Sequence, residues 1–265
     1  MMQVLLAAPS SGSGKTMAAC ALLRALQRRG LNPCAFKCGP DYIDPMFHRA
    51  ALRVDSCNLD LFLSSTETVQ ALYAQRCRDH GAAVCEGVMG FYDGVGGTTT
   101  QAGTWHLADT LNLPVLLVLR PKGTSLTLAA QVNGLKEFCT PSHLAGMLLN
   151  DCTQTLAGSL APMLERETGL PVLGCLPRLS DAAIQSRHLG LCTAAEVADL
   201  DRRLDVLADA LEDSADLSRL LALCDRPAPP PISVGPPAPT LWAVWVCWRP
   251  CWRTSPPSPE VLRSL

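Results

Sequence analysis

The run Ala8-Pro9-Ser10-Ser11-Gly12-Ser13-Gly14-Lys15-Thr16 lies between an apolar hexapeptide, residues 3–8, and a segment of helical spacing, residues 16–29. Few architectures accept this order of strand, Gly/Ser loop and helix. The loop must turn successive backbone N–H groups inward, and the helix N-terminus behind it must add its dipole, which together make a phosphate cradle. Ser10, Ser11, Gly12, Ser13 and Gly14 supply the small side chains and the freedom of φ that this cradle needs. Lys15 is then set to reach the β- and γ-phosphates of a nucleotide, and the Thr16 hydroxyl to ligate Mg²⁺. The strict pattern has Gly where this chain has Pro9. The loop predicts a Mg-ATP site in an α/β domain.

The rest of the chain fits that frame. Residues 3–8, 33–37, 82–88, 114–119, 144–149 and 171–176 are apolar without alternation, as strands buried on both faces are. Residues 16–29, 65–80, 125–138 and 156–168 carry helical spacing, and Gly30, Gly81 and Gly169 stand where helices end. The alternation predicts a doubly wound, mostly parallel sheet flanked by helices, with ligands at the carboxyl ends of its strands.

Composition narrows the partners. A net charge of -2, with no block of Lys or Arg, leaves no electrostatic footprint for nucleic acid or an anionic membrane. No stretch approaches the roughly 20 apolar residues of a membrane span. The apolar start lacks a basic n-region and runs straight into the Gly-rich loop, which argues for a strand rather than a signal peptide. The 13 cysteines are odd in number and include no CxxC pair, so reduced thiols in a cytoplasmic protein are expected. Cys34 and Cys38, like Cys247 and Cys251, are four apart but lack a matching second pair, which disfavours zinc.

Three further segments carry chemistry. Lys37-Cys38-Gly39-Pro40-Asp41-Tyr42-Ile43-Asp44-Pro45 follows the second strand and brings a lysine, two carboxylates and an aromatic into one turn-rich loop; an ordinary Asp/Gly/Pro turn would have the same composition. Ala82-Ala83-Val84-Cys85-Glu86 is an apolar strand ending in one acid, where a carboxylate serving Mg²⁺ is expected. A charge there is costly unless paired or ligated. Asn150, after the strand at 144–149, has the donor and acceptor to pair with an adenine edge, or simply caps the next helix.

Together with Asn58-Leu59-Asp60, Met89-Gly90-Phe91-Tyr92-Asp93-Gly94 and Arg187-His188-Leu189-Gly190-Leu191, these motifs resemble those of the cobyrinic acid a,c-diamide synthases over residues 1–196. Relatives on the same fold include dethiobiotin synthetase and the MinD/ParA ATPases, and the family shares the Pro9 departure. The resemblance implies an ATP- and Mg²⁺-dependent amidation of the a- and c-carboxylates of a corrinoid, cobyrinate or hydrogenobyrinate, through an acyl phosphate. Carried over, Ser11, Gly12, Ser13, Gly14, Lys15 and Thr16, with Asn150, would hold the nucleotide. Thr16, Glu86 and Asp41 would serve the metal. Tyr42, Asp44 and Asp93 would order the corrinoid or assist ammonia. Lys15, Lys37, Asp41, Glu86 and Asp93 are the candidate catalytic residues.

The family continues into a class I glutamine amidotransferase domain, with a nucleophilic Cys in a Gly-rich elbow and a downstream His. Here Cys247 and Cys251 lie among Trp, Arg and Pro, so the expectation is a truncated chain without glutaminase, fed by free ammonia or inactive. Glutamine would serve only with a separate glutaminase, and a homodimer is an allowed assembly. The competing readings are a MinD/ParA-like switch, against which stands the absence of a Lys at the loop's start and of a basic C-terminal helix, and a dethiobiotin synthetase-like enzyme.

By domain, residues 1–193 read as the ATP-binding unit and 194–226 as a helical extension with acids and arginines interleaved among leucines. Residues 227–265 read as an anomalous tail, because 11 of the 21 prolines and four of the five tryptophans lie there. Such a tail suggests read-through of a shifted frame, and otherwise a Pro-rich linker.

Overall fold

The computed structural model describes residues 1–179 and 199–232, together with the backbone of the short strands Ser186–Arg187 and Gly190–Leu191. The Arg187–Leu191 motif therefore lies largely, and the tail from residue 233 entirely, outside the described residues.

Seven strands form one sheet: β1 (Met2–Ala7), β2 (Pro33–Cys38), β3 (Asp55–Leu59), β4 (Ala82–Glu86), β5 (Val115–Leu119), β6 (Leu144–Asn150) and β7 (Val172–Leu176). Their spatial order is β3-β2-β4-β1-β5-β6-β7, and every pairing is parallel. Between them run α1 (Lys15–Arg28), α2 (Ile43–Ala51), α3 (Thr66–Cys77), α4 (Thr104–Leu111), α5 (Leu126–Phe138) and α6 (Gln154–Thr168); α7 (Leu200–Ser214) and α8 (Leu217–Leu223) follow. The expected fold class is borne out.

Strand residues alternate between two cores. Val4, Leu6, Ala35, Val84, Leu116 and Val118 face α1, α2, α7 and α8, while Leu5, Ala7, Phe36, Cys85, Leu117 and Leu119 face α3 to α6. Because both faces are covered, the strands carry apolar residues at every position instead of at alternate ones.

The strand order reverses beside β1. The chain passes from β1 to β2 and β3, and returns with β4 between β1 and β2 before crossing to β5. Parallel strands align their carboxyl ends, so the loops after β1, β2 and β4 meet at one rim, where such sheets bind ligands.

Three elements went unread in the sequence: β3, α2 and the short helix α4. β3 is Asp55-Ser56-Cys57-Asn58-Leu59, an edge strand pairing only with β2 and partly exposed, so it has no apolar run to betray it. α2 begins inside the segment expected to be a turn-rich loop. Pro45 falls in its first turn, where a missing N–H costs nothing because that donor has no helical partner.

Helix α7 lies along α1, and a ladder of ion pairs seals the seam. Arg24 and Arg28 both reach Asp205, at 2.8 and 2.9 Å, and Arg28 also meets Glu212 at 3.3 Å. The chain then closes on its own start: Gln3 N donates to the Cys224 carbonyl at 2.8 Å, and Gln3 Nε2 to the Pro227 carbonyl at 2.8 Å. Met1's amino group pairs with Asp225 at 3.1 Å. Among the described residues no helix is long and apolar enough to cross a membrane, and ten cysteines are free thiols.

Candidate functional site

The loop after β1 folds as its composition requires. Gly12 and Gly14 take φ of 77° and 99°, which Cβ-bearing residues avoid. Ser13 Oγ donates to the Ser10 carbonyl at 2.9 Å and tightens the turn. Ser11 and Gly12 are exposed at its tip. Lys15 is buried and folds back along the loop, donating to the Met89 carbonyl at 2.6 Å and the Ser10 carbonyl at 3.4 Å. Burial, with the neighbouring Lys37 charge, draws the Lys15 ammonium down to about 8 against the opposing pull of Glu86 and Asp93.

Glu86 ends β4 and is 1% exposed. Its Oε1 accepts from the Thr16 hydroxyl at 2.5 Å and from Lys37 Nζ at 2.8 Å. Lys37, equally buried on β2, also grips Asp44 at 2.6 Å, with Asp41 at 4.0 Å. Thr16, Glu86, Lys37 and Asp44, on α1, β4, β2 and α2, thus form one network across four elements. Burial resists charge on Glu86, but Lys37 and the two donated hydrogen bonds hold its carboxyl below the ordinary range. At Lys37 burial likewise opposes charge, and Glu86 and Asp44 reverse it, so its affinity for a proton is raised.

The remaining expected residues are placed differently. Asp41 Oδ1 accepts from the Ile43 and Asp44 N–H groups at 2.9 and 3.3 Å, so it caps α2 with the oxygen expected to face a metal. Asn150 donates from Nδ2 to the Ser13 carbonyl at 2.9 Å, and its carboxamide lies against Gly14. It braces the phosphate loop through this donor. Asp93 is exposed and accepts from the Gly90 N–H at 3.0 Å, closing the turn that presents the Met89 carbonyl to Lys15. A side chain on Gly90 would stand 2.4 Å from Asp93 Oδ2, so this turn requires glycine. Tyr42 is 69% exposed and touches none of the buried network. It belongs with Met46, Phe62 and Leu63 to the exposed apolar residues that follow β2 and β3.

His48 went unnoticed in the sequence. It sits one helical turn after Asp44 on α2, is 1% exposed, and brings Nε2 to 4.0 Å from Glu86 Oε2. Its Nδ1 lies 3.3 Å from Ser56 Oγ on β3. Among the described residues neither His48 Nε2 nor Glu86 Oε2 has a hydrogen-bond partner. The signal was the four-residue spacing of Asp44 and His48, legible only once 43–51 is read as a helix.

The donor set fits a small hard cation held together with a nucleotide. Thr16 offers a hydroxyl oxygen and Glu86 a carboxylate, and Mg²⁺ takes only one or two protein groups beside phosphates and waters. Among the described residues no group of three or more His, Cys, Asp or Glu could hold a metal by protein ligands alone.

Comparison with known proteins agrees with this geometry. The profile of the family described as CobQ/CobB/MinD/ParA nucleotide binding domain matches residues 4–191. A cobyrinate a,c-diamide synthase of Gloeobacter violaceus is 39% identical over 243 residues, covering 91% of this chain and 52% of that protein. One of Clostridium tetani is 38% identical over 84% of this chain and 50% of its own length. A hydrogenobyrinate a,c-diamide synthase of Brucella anthropi is 41% identical, covering 84% and 51%. The chain spans about half the length of the curated relatives it matches.

Proposed function

Since the chain belongs to the CobQ/CobB/MinD/ParA nucleotide-binding domain family, we propose that it is the ATP-using half of a corrinoid a,c-diamide synthase. The observation that carries this reading is the buried network Thr16–Glu86–Lys37–Asp44 beneath the phosphate loop. It ties the nucleotide side of the rim, through Lys37, to the start of α2, where an organic acid would enter. The relatives named as cobyrinate and hydrogenobyrinate a,c-diamide synthases support the substrate class.

A carboxylate is a poor electrophile, so its oxygen first attacks the γ-phosphate of ATP and the resulting acyl phosphate is opened by ammonia. Such transfer relies chiefly on positioning and neutralisation of charge. The loop N–H groups around Gly12 and Gly14 hold the phosphates, and Lys15 leaves the Met89 carbonyl to reach them. Thr16 and Glu86 would hold Mg²⁺, which when bound offsets phosphate charge. Lys37 pairs with Glu86 and Asp44 together, holding the two carboxylates side by side. Tyr42 and its exposed apolar neighbours receive the macrocycle, and Asp93, exposed beside the loop, accepts the proton that the attacking ammonia loses. Free ammonia is the nitrogen source for this half, with glutamine serving through a separate glutaminase. The free thiols fit a reducing cytoplasm.

Incubating the purified chain with Mg-ATP, ammonium and cobyrinate, or hydrogenobyrinate, tests this by mass spectrometry. One and two amidations are expected, with ADP released in step. ATP binding without corrinoid-dependent ADP release would overturn it in favour of a switch ATPase or a chain that only binds.

A further inference from the structure

Two buried polar atoms without a hydrogen-bond partner among the described residues face each other beside the nucleotide site: His48 Nε2 and Glu86 Oε2, 4.0 Å apart. Glu86 spends its other oxygen on Thr16 and Lys37. On the far side of the ring, His48 Nδ1 has Ser56 Oγ at 3.3 Å. Both side chains are 1% exposed, so an unmade contact between them is costly.

Of the two neutral tautomers only one suits these neighbours. A proton on Nδ1 would leave the Nε2 lone pair facing a carboxylate oxygen, acceptor against acceptor in a dry space. A proton on Nε2 turns the same approach into donor against acceptor, and lets Nδ1 accept from the Ser56 hydroxyl. We propose that His48 is a positioning residue for Glu86, with its ring proton held on Nε2 by Ser56 and aimed at Glu86 Oε2. The gap is about 1 Å longer than a good N–H···O bond, and such contacts in ligand-free sites tighten when the ligand binds. The relay runs from Ser56 on β3 through His48 on α2 to Glu86 on β4. It fixes the carboxylate's rotation, so that Oε1 stays turned to Thr16, and makes α2 sensitive to what occupies the nucleotide site.

The inference rests on Glu86 serving that site, and it is tested without turnover. The full chain labelled with ¹⁵N-histidine is examined by NMR, with His48 assigned through H48Q. The ligand-free protein is expected to carry the Nε2–H tautomer, S56A to lose that preference, and Mg²⁺ with ATP to shift the Nε2 resonance. An Nδ1–H tautomer in the ligand-free protein overturns the proposal, and that result can be read even if ATP does not bind. In calorimetric titrations H48L is expected to lose about tenfold of the affinity that Mg²⁺ adds to ATP binding, the scale of one hydrogen bond to a charged group. H48Q, whose amide can donate from nearly the same place, is expected to recover most of it. Equal Mg²⁺ enhancement in H48L and the parent chain also overturns it.

Discussion

Asn150 Nδ2 donates to the Ser13 carbonyl at 2.9 Å, so the end of β6 holds the phosphate loop that follows β1. The carboxamide fills the space where a side chain on Gly14 would stand, 2.0 Å from a Cβ built there. Gly14 also has φ 99°, which an L side chain adopts only under strain. G14A is therefore expected to distort the loop and lose at least about tenfold in ATP affinity, while N150A, losing one hydrogen bond, costs about 1 kcal/mol of stability. Calorimetry and chemical denaturation of both variants check this.

Lys37 is the cation that lets two buried carboxylates coexist. Removing it in K37M strands Glu86 and Asp44, at a cost of about 3–5 kcal/mol near neutral pH. Glu86, left with its burial unopposed by Lys37, should then take up a proton on folding in the variant. Its folded pKa would lie above the unfolded value, and the stability carried by the proton is present at low pH and lost as pH rises through the folded pKa. Urea midpoints should therefore rise on acidification from pH 8 to pH 5 in K37M. The parent chain should behave oppositely in acid: Glu86 lies below its ordinary value, so its contribution is present above the unfolded pKa and lost as pH falls through the folded one.

Lys15 stands in the reverse relation. Its folded pKa of about 8 lies below its unfolded value of 10.5, so the folded protein binds fewer protons between those values. Stability from this group should rise with pH across that window. Holding the charge at pH 7 is a strain maintained for the ligand. K15M is expected to raise the denaturation midpoint of the ligand-free chain, by on the order of 1 kcal/mol, while abolishing nucleotide binding.

The seam between α1 and α7 should respond to salt. Asp205 accepts from Arg24 and Arg28 and is held below the usual carboxylate range by the Arg24 hydrogen bond first. At this exposed position D205A is expected to cost only about 0.5–1 kcal/mol at low ionic strength, and less in 1 M salt. The difference should also vanish as pH falls through the folded pKa of Asp205, as paired urea titrations would reveal.

What was legible in the sequence follows from where each residue sits. The phosphate loop, Lys37 and Glu86 all lie within or immediately after apolar strands, so burial patterning located them and their charges stood out. β3 escaped because an edge strand has neighbours on one side only: Asp55 is exposed, while Ser56 meets His48 on α2 and Asn58 bonds the Gly39 and Asp41 carbonyls after β2, so polar residues fill an edge strand. α2 escaped because Asp41 and Pro45, which mark a turn, equally mark a helix start; which one they mark is decided by Phe47 and Ala51 packing on the sheet. With α2 unread, His48 had no face to share with Asp44. Asn150 was singled out correctly as a polar group at a strand end, but its partner is 137 residues away and no local pattern names it.

The stitch between Met1–Gln3 and Cys224–Pro227 bears on transport. Those contacts lie at the amino end of β1, whereas the phosphate loop leaves from its carboxyl end. The strand's six residues separate the two by about 20 Å. Under the proposed amidation, a glutaminase domain joined beyond this point would start from the end of the sheet opposite the phosphate loop, and would have to reach round the sheet's edge for the nitrogen it frees to meet the rim without passing through solvent.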